Sequence, residues 1–269
     1  MTTSSTPLTH LSLYSGIGGI DLAAEWAGFK TIGQVEKDAF ANKILAKHWP
    51  GVPRWKDIKD VEVDDVIGKT GIRSPTLISG GFPCQPFSSV GLKRGKDDPR
   101  YLWPEMLRIV REYRPSWVVG ENVAGLKGLA LDQICSDLED IGYAYRAFSI
   151  PAGAVGADQL RRRIFVVAND VGLRSREAAP QKVSVRAQQI SRDNVRCSNG
   201  GTAVAKHRIV PLSMWTGVPK PTVNRNGDGV PYRVDRCVAL GNAVVPQQIY
   251  PILKGIAEIE QMVENRRED

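Results

Sequence analysis

The chain is short of the residues that build metal centres and disulfide frameworks. It has four cysteines, Cys84, Cys135, Cys197 and Cys237, among 269 residues. None forms a CxxC pair, and three dispersed histidines complete no zinc-ligand spacing. Reduced thiols in the cytoplasm and no metal are expected. Apolar runs are short too: none approaches the roughly 20 residues needed to cross a bilayer. The opening MTTSSTPLTH lacks the apolar core of a signal peptide. A soluble protein without membrane contact is the expectation. No internal repeat or low-complexity tract is present.

What remains is ordinary for a globular chain, 42% hydrophobic and 24% charged. Thirty-six Lys+Arg against 29 Asp+Glu give a net charge of +7, and the pI is about 9.3. That balance permits contact with a polyanion without establishing it.

The first half alternates two periodicities. Strand-like residues 8–14 run into a glycine turn and the amphipathic IDLAAEWAGF. TIGQVE then precedes DAFANKILAKHW, a helix with Asp38 as N-cap, and a short segment surrounds Asp57. Residues 76–79 form a strand, residues 103–113 a helix with Pro104 in its first turn, and SWVVGEN another strand. LDQICSDLEDIG is a helix ended by Gly142. This alternation predicts a mostly parallel sheet with helices on both faces. AYRAFSI and RRRIFVVA lack an intervening helix and predict an antiparallel edge. The rhythm dissolves after Asn169. Residues 169–210 hold eight Lys/Arg against Asp170, Glu177 and Asp193, a surplus of five. Order returns with RVDRCVALGNAVVP and an amphipathic helix from about Pro246. The partition expected is a catalytic and cofactor-binding domain over 1–168, a small basic region over 169–231, and a returning segment over 232–269.

Two stretches carry chemistry. YSGIGG, Tyr14–Gly19, follows a strand and opens a helix, where glycines admit a ligand close to backbone N–H groups. Glu36, ending the next strand, is placed to accept hydrogen bonds from both hydroxyls of a ribose. Asp57 stands after the third strand, either facing an adenine amino group or as a surface carboxylate. The third glycine of GxGxxG is missing, because Asp21 occupies its place, so hydride transfer from a dinucleotide is disfavoured. The second stretch, GGFPCQPFSS, holds Cys84 between Pro83 and Pro86. The rings stiffen the loop and keep it non-helical, which suits either an inert packed thiol or a nucleophile that must not wander. Glu121 ends the following strand. A carboxylate beside a thiol raises the thiol's pKa, so the pair makes sense if the carboxyl activates a substrate ring.

YSGIGG, Glu36, PCQ at Pro83–Gln85, ENV at Glu121–Val123, QLRRR at Gln159–Arg163 and GNAVV at Gly241–Val245 occur in one order. Together they resemble the cytosine-C5 DNA methyltransferase family, of the phage and prokaryotic type. The resemblance implies a Rossmann-like S-adenosylmethionine-dependent methyltransferase fold, a mostly parallel α/β sheet with an antiparallel edge and a small basic target-recognition insert. It makes Cys84 the nucleophile at cytosine C6 and Glu121 the partner of N3 and the exocyclic amine. Arg163 would contact O2, and Arg161 would support the loop or reach the phosphate backbone. S-adenosyl-L-methionine would lie among Tyr14, Gly16, Gly18, Gly19, Glu36, Asp57, Leu102, Asn242 and Val244. Tyr14 departs from the family's usual phenylalanine. Pro83, Gln85, Ser88, Asn122 and Gln159 would surround the substrate, and Ser88–Arg100 reads as a lid. The partner implied is double-stranded DNA, bound by a monomer, with a restriction endonuclease as a possible companion. An RNA substrate and a silent DNA binder are the rival readings.

Overall fold

The computed structural model describes residues 7–83, 101–124, 129–157, 161–172 and 233–268. They belong to one unit, Met1–Glu177 with Pro231–Asp269; a second unit, Ala178–Val230, lies outside the described residues. Among the described residues no helix is long and apolar enough to cross a membrane.

Seven strands form one sheet: β1 (Thr9–Leu13), β2 (Lys30–Val35), β3 (Arg54–Trp55), β4 (Leu77–Gly80), β5 (Trp117–Val123), β6 (Tyr143–Pro151) and β7 (Arg162–Asp170). Their order is β3-β2-β1-β4-β5-β7-β6. The first five run parallel, and β7 is antiparallel to both neighbours. The expected antiparallel edge is therefore present, with the later strand inserted inside the earlier one. Among the described residues, seven α-helices accompany the sheet: α1 (Gly19–Trp26), α2 (Ala39–His48), α3 (Val63–Thr70), α4 (Trp103–Tyr113), α5 (Leu129–Asp140), α6 (Arg233–Asn242) and α7 (Pro246–Glu268). Asp38 caps α2 as expected, its carboxylate accepting from the Ala41 N–H at 2.7 Å. Pro104 sits in the first turn of α4.

Side chains alternate across the strands and feed two cores. Ile78, Val118 and Val166 join Trp103, Met106, Ile109, Ile134 and Leu138 on one face. Leu77, Val119 and Phe165 join Ile20, Ala23, Ala24 and the α7 residues Ile249, Leu253 and Ile256 on the other. The last helix is therefore part of the core. Trp117 at the start of β5 also donates its indole N–H to Glu260 of α7 at 2.7 Å.

The β5–β7 register decides which side chains can meet at the carboxyl end of β5. It pairs Val123 with Arg163, Glu121 with Phe165 and Trp117 with Asn169. Its far end is pinned by Arg114, a residue with a left-handed φ of 49°. Arg114 bonds the carbonyl of Ile141 at 2.5 Å, pairs with Asp170 and lies over the Tyr143 ring. A slip of one residue would turn Arg163 to the opposite face.

Leu253 is fully buried between α7 and the sheet. Leu253→Ala should therefore lower unfolding free energy by about 3 kcal/mol in a urea titration. A loss under about 1 kcal/mol would mean that α7 is not part of the cooperative core.

Candidate active site

The glycine turn begins where β1 ends. Tyr14, Gly16 and Gly18 have φ of 53°, 55° and 85°, a left-handed run that leads into α1. The three glycines serve different ends. A Cβ on Gly16 would meet nothing within 4 Å, and the residue faces a cleft. A Cβ on Gly18 would strike the Trp49 indole, and one on Gly19 would stand 2.5 Å from the Val244 carbonyl oxygen. Gly18 and Gly19 thus answer to packing, Gly16 to the open side of the turn.

Glu36 reaches back to this turn. Its two carboxylate oxygens accept from the N–H groups of Gly16 and Asp38, each at 2.7 Å. Every such oxygen has two lone pairs, so both retain room for a further donor. Asp57 caps the short turn Ile58–Asp60, accepting from the Lys59 N–H, and pairs with Lys37 at 2.7 Å. The Lys37 hydrogen bond holds the Asp57 carboxyl below its ordinary range. Tyr14 donates its hydroxyl to the Leu102 carbonyl at 2.7 Å.

These residues line a cleft of about 640 Å³. Tyr14, Gly16, Glu36, Asp57 and Leu102 form one part, Asn242 comes from the C-terminal return, and Pro83, Glu121, Asn122 and Arg163 lie along it too. Gly18, Gly19, Val244 and Arg161 border a neighbouring hollow with Trp49. Cys84, Gln85, Ser88, Gln159 and the expected lid to Arg100 lie outside the described residues. Sequence reasoning misses Phe82, Lys37 and Trp49. Phe82 at least carries a signal, its place directly before Pro83.

The end of β5 grips the backbone that leads to Cys84. The Asn122 amide donates to the Phe82 carbonyl at 3.0 Å and accepts the Val123 N–H at 2.9 Å. The Phe82 ring packs on Trp103, with centroids 5.2 Å apart. Gly81 leaves no room for a side chain, because its Cβ would stand 2.9 Å from a Glu121 carboxylate oxygen. Pro83 therefore follows from a fixed position.

Glu121 is 7% exposed and faces Arg163, diagonal to it on the same sheet face. Arg163 Nε stands 2.7 Å from Glu121 Oε1. Among the described residues that oxygen nevertheless has no well-directed hydrogen bond. The contact is an ion pair with acceptor capacity left over. Burial pushes the Glu121 carboxyl up to about 7, against the opposing pull of Arg163 and Arg161. The carboxyl is poised to be neutral or ionised near neutrality, as an acid–base group requires.

Arg161 has a different occupation. Its Nη2 donates to the carbonyls of Gly241 and Ala243, both at 2.6 Å. The Gln248 amide, from α7, donates in turn to the carbonyls of Ile150 and Arg161. Arg161 thereby clamps the returning segment that carries Asn242 and Val244.

This sheet order with its inserted antiparallel strand defines a Rossmann-like methyltransferase fold. The chain belongs to the family described as C-5 cytosine-specific DNA methylase, whose profile matches residues 8–208. It is 36% identical over 178 residues to the type II methyltransferase M.AquIA of Picosynechococcus, covering 60% of this chain and 72% of that one. It is 35% identical over 177 residues to M.NgoFVII of Neisseria gonorrhoeae, covering 62% of this chain but 45% of that relative. Among solved structures it resembles a DNA modification methyltransferase encoded within an E. coli prophage. That match has 27% identity and a TM-score of 0.54, over 62% of this chain and 48% of the other. DNMT2 of Spodoptera frugiperda shares the fold at 24% identity and a TM-score of 0.51, over 61% and 50%.

The Glu121 environment has a consequence for stability. Its folded pKa of about 7 exceeds the ordinary 4.5, so the folded state binds more protons between those values. The stabilisation is fully present below about 4.5 and is lost as pH rises through about 7. Relative to Glu121→Gln, which stays neutral, the native protein should lose roughly 3 kcal/mol across that window and level off above it. Urea unfolding of both proteins at several pH values measures this. A pH-independent difference would show that the ion pair with Arg163 balances burial, and a difference that grows in the native protein's favour as pH rises would show that the pair outweighs it.

Proposed function

We propose that the chain is a DNA (cytosine-5-)-methyltransferase, acting on a cytosine flipped out of a short duplex site. The observation that carries the reading is Glu121. It is a buried carboxyl held near neutrality beside Arg163, in one cleft with Tyr14, Gly16, Glu36 and Asp57. The cleft's size suits a nucleoside-bearing cofactor. Glu36 keeps acceptor capacity for ribose hydroxyls, and Gly16 leaves the backbone approachable. Tyr14, Gly16, Glu36, Asp57, Leu102 and Asn242 would hold S-adenosyl-L-methionine, which supplies an electrophilic methyl group. Gly18, Gly19 and Val244 would support that site from behind.

The chain's own residues would do the rest. The Cys84 thiolate adds to C6 of the base, forming a C–S bond as the C5–C6 π electrons move toward C5. Glu121 in its protonated form donates to N3, drawing charge off the ring and making the addition favourable. Arg163 directs a free N–H toward O2 and stabilises the same charge. After C5 is methylated, loss of its proton and expulsion of the Cys84 thiolate restore the aromatic ring. Extrusion of the base costs a few kcal/mol of unstacking, which phosphate contacts help offset. We assign those contacts and the sequence readout to 169–231, with 1–168 catalytic and 232–269 completing the cofactor wall. Pro83, Gln85, Ser88, Asn122 and Gln159 order the substrate side. The protein works as a monomer on double-stranded DNA, and the type II naming of its relatives suits a modification role beside a restriction endonuclease.

Bisulfite sequencing of plasmid DNA from a host without cytosine methylation tests this. The native protein should leave cytosines protected in one short recurring context, and Cys84→Ala should abolish protection by at least about 1,000-fold. Full conversion with soluble native protein would overturn the DNA assignment in favour of RNA or silent binding.

A further inference from the structure

Tyr14 opens the glycine turn after β1, and its hydroxyl has a specific partner. It donates to the carbonyl of Leu102 at 2.7 Å, joining the glycine turn to the residue that precedes α4. The helix is anchored by Trp103, buried with its indole N–H on Asp137 at 2.8 Å, but the Leu102 carbonyl before it has few other partners. Leu102 makes no side-chain capping bond, the first turn contains Pro104, and the Met106 N–H reaches the same carbonyl only at 3.4 Å. Tyr14 itself is fixed on the other side by its left-handed backbone, with Ser15 bonding Val35 immediately after it. Both Tyr14 and Leu102 face the cleft.

We propose that Tyr14 is a positioning residue whose hydroxyl sets the Leu102 wall of the cofactor cleft, fixing its width against the glycine turn. This rests on the cofactor reading of that cleft. A phenol donates only while protonated. Burial, reinforced by Glu105 and Asp57, raises the Tyr14 pKa, so the bond persists at every ordinary pH. A phenylalanine keeps the ring and its packing but leaves Leu102 without its better donor. The wall then relaxes by small displacements of the α4 start, which weaken ligand binding without unfolding the protein.

The molecule contains its own control. Tyr143 makes the same kind of bond, hydroxyl to the Pro115 carbonyl at 2.7 Å, and does not line the cleft. Tyr14→Phe and Tyr143→Phe each remove one such bond and should cost similar stability. Calorimetric titration with S-adenosylmethionine and with S-adenosylhomocysteine separates them. Tyr14→Phe should weaken both ligands about 3- to 10-fold, the size of one lost hydrogen bond, and Tyr143→Phe should leave them unchanged. In turnover, KM for the cofactor should rise in Tyr14→Phe while KM for DNA stays constant. Equal affinities in native, Tyr14→Phe and Tyr143→Phe proteins would overturn the role of Tyr14 and leave the cofactor reading intact. No binding to the native protein would overturn both.

Discussion

One constraint organises the molecule: a face of its sheet is closed only when the last helix returns to it. Among the described residues of the first 170, the apolar side of β4, β5 and β7 is met by Ile20, Ala23 and Ala24 of α1 and by Ala27 and Phe29 just after it, with Leu8 and Ile150 at its margin. Ile249, Leu253, Ile256 and Ala257 complete that face. At about 25 cal/mol per Å² of apolar area this closure is a large part of the folding free energy. The consequences reach the site. Docking α7 carries Val244 onto Gly19 and brings the Gly241 and Ala243 carbonyls to Arg161. The cleft wall at Asn242 is thus a by-product of core packing.

The interior beneath the cleft holds ionisable groups whose charged forms burial disfavours. His10 is fully buried on β1 between Thr31 and Ser79, and burial lowers its pKa to about 3, which keeps it neutral. Asp21 accepts from Ser12 and Gln34, and burial raises its carboxyl to about 6. Desolvation pushes these groups toward neutrality, as it does Glu121. What distinguishes Glu121 is position: it stands at the carboxyl end of the strands, where open α/β sheets place ligands, and two arginines oppose its burial. Asp21 is enclosed and answered by neutral donors, so it steadies the turn while Glu121 is left with an acceptor to offer.

Much of this is legible in the sequence, and the limits have physical reasons. The β-α rhythm, the Asp38 cap and the Pro104 start follow local rules of periodicity and backbone geometry, which a chain displays without its partners. The insertion of β7 inside β6 does not, because alternation identifies a strand but not its neighbour. The helices α3 and α6 escape such a reading. α3 is only eight residues long, with Val63, Val66 and Ile67 on the core, and α6 leaves Val234, Val238 and Leu240 exposed, so it shows no apolar stripe of a packed helix. In the site, the carboxylates and the order of the short motifs are readable. The reasons for Gly18 and Gly19 are not, since Trp49 and Val244 approach from elsewhere in the chain.

Arg161 and Arg163 show how two like residues on one face acquire different work. Arg162 between them points the other way and is exposed. Arg163 meets the buried carboxyl of Glu121, while Arg161 gives its Nη2 to two backbone carbonyls. These two cations, close to the proposed chemistry, are thus already engaged within the fold. The positive surplus of the sequence lies elsewhere, five charges over residues 169–210. On the proposed function, attraction to the polyanion and activation of the base are therefore carried by different stretches of chain. Long-range attraction weakens with salt, whereas the Glu121–Arg163 pair is shielded by burial. Separate placement lets the first be weak and exchangeable while the second stays fixed.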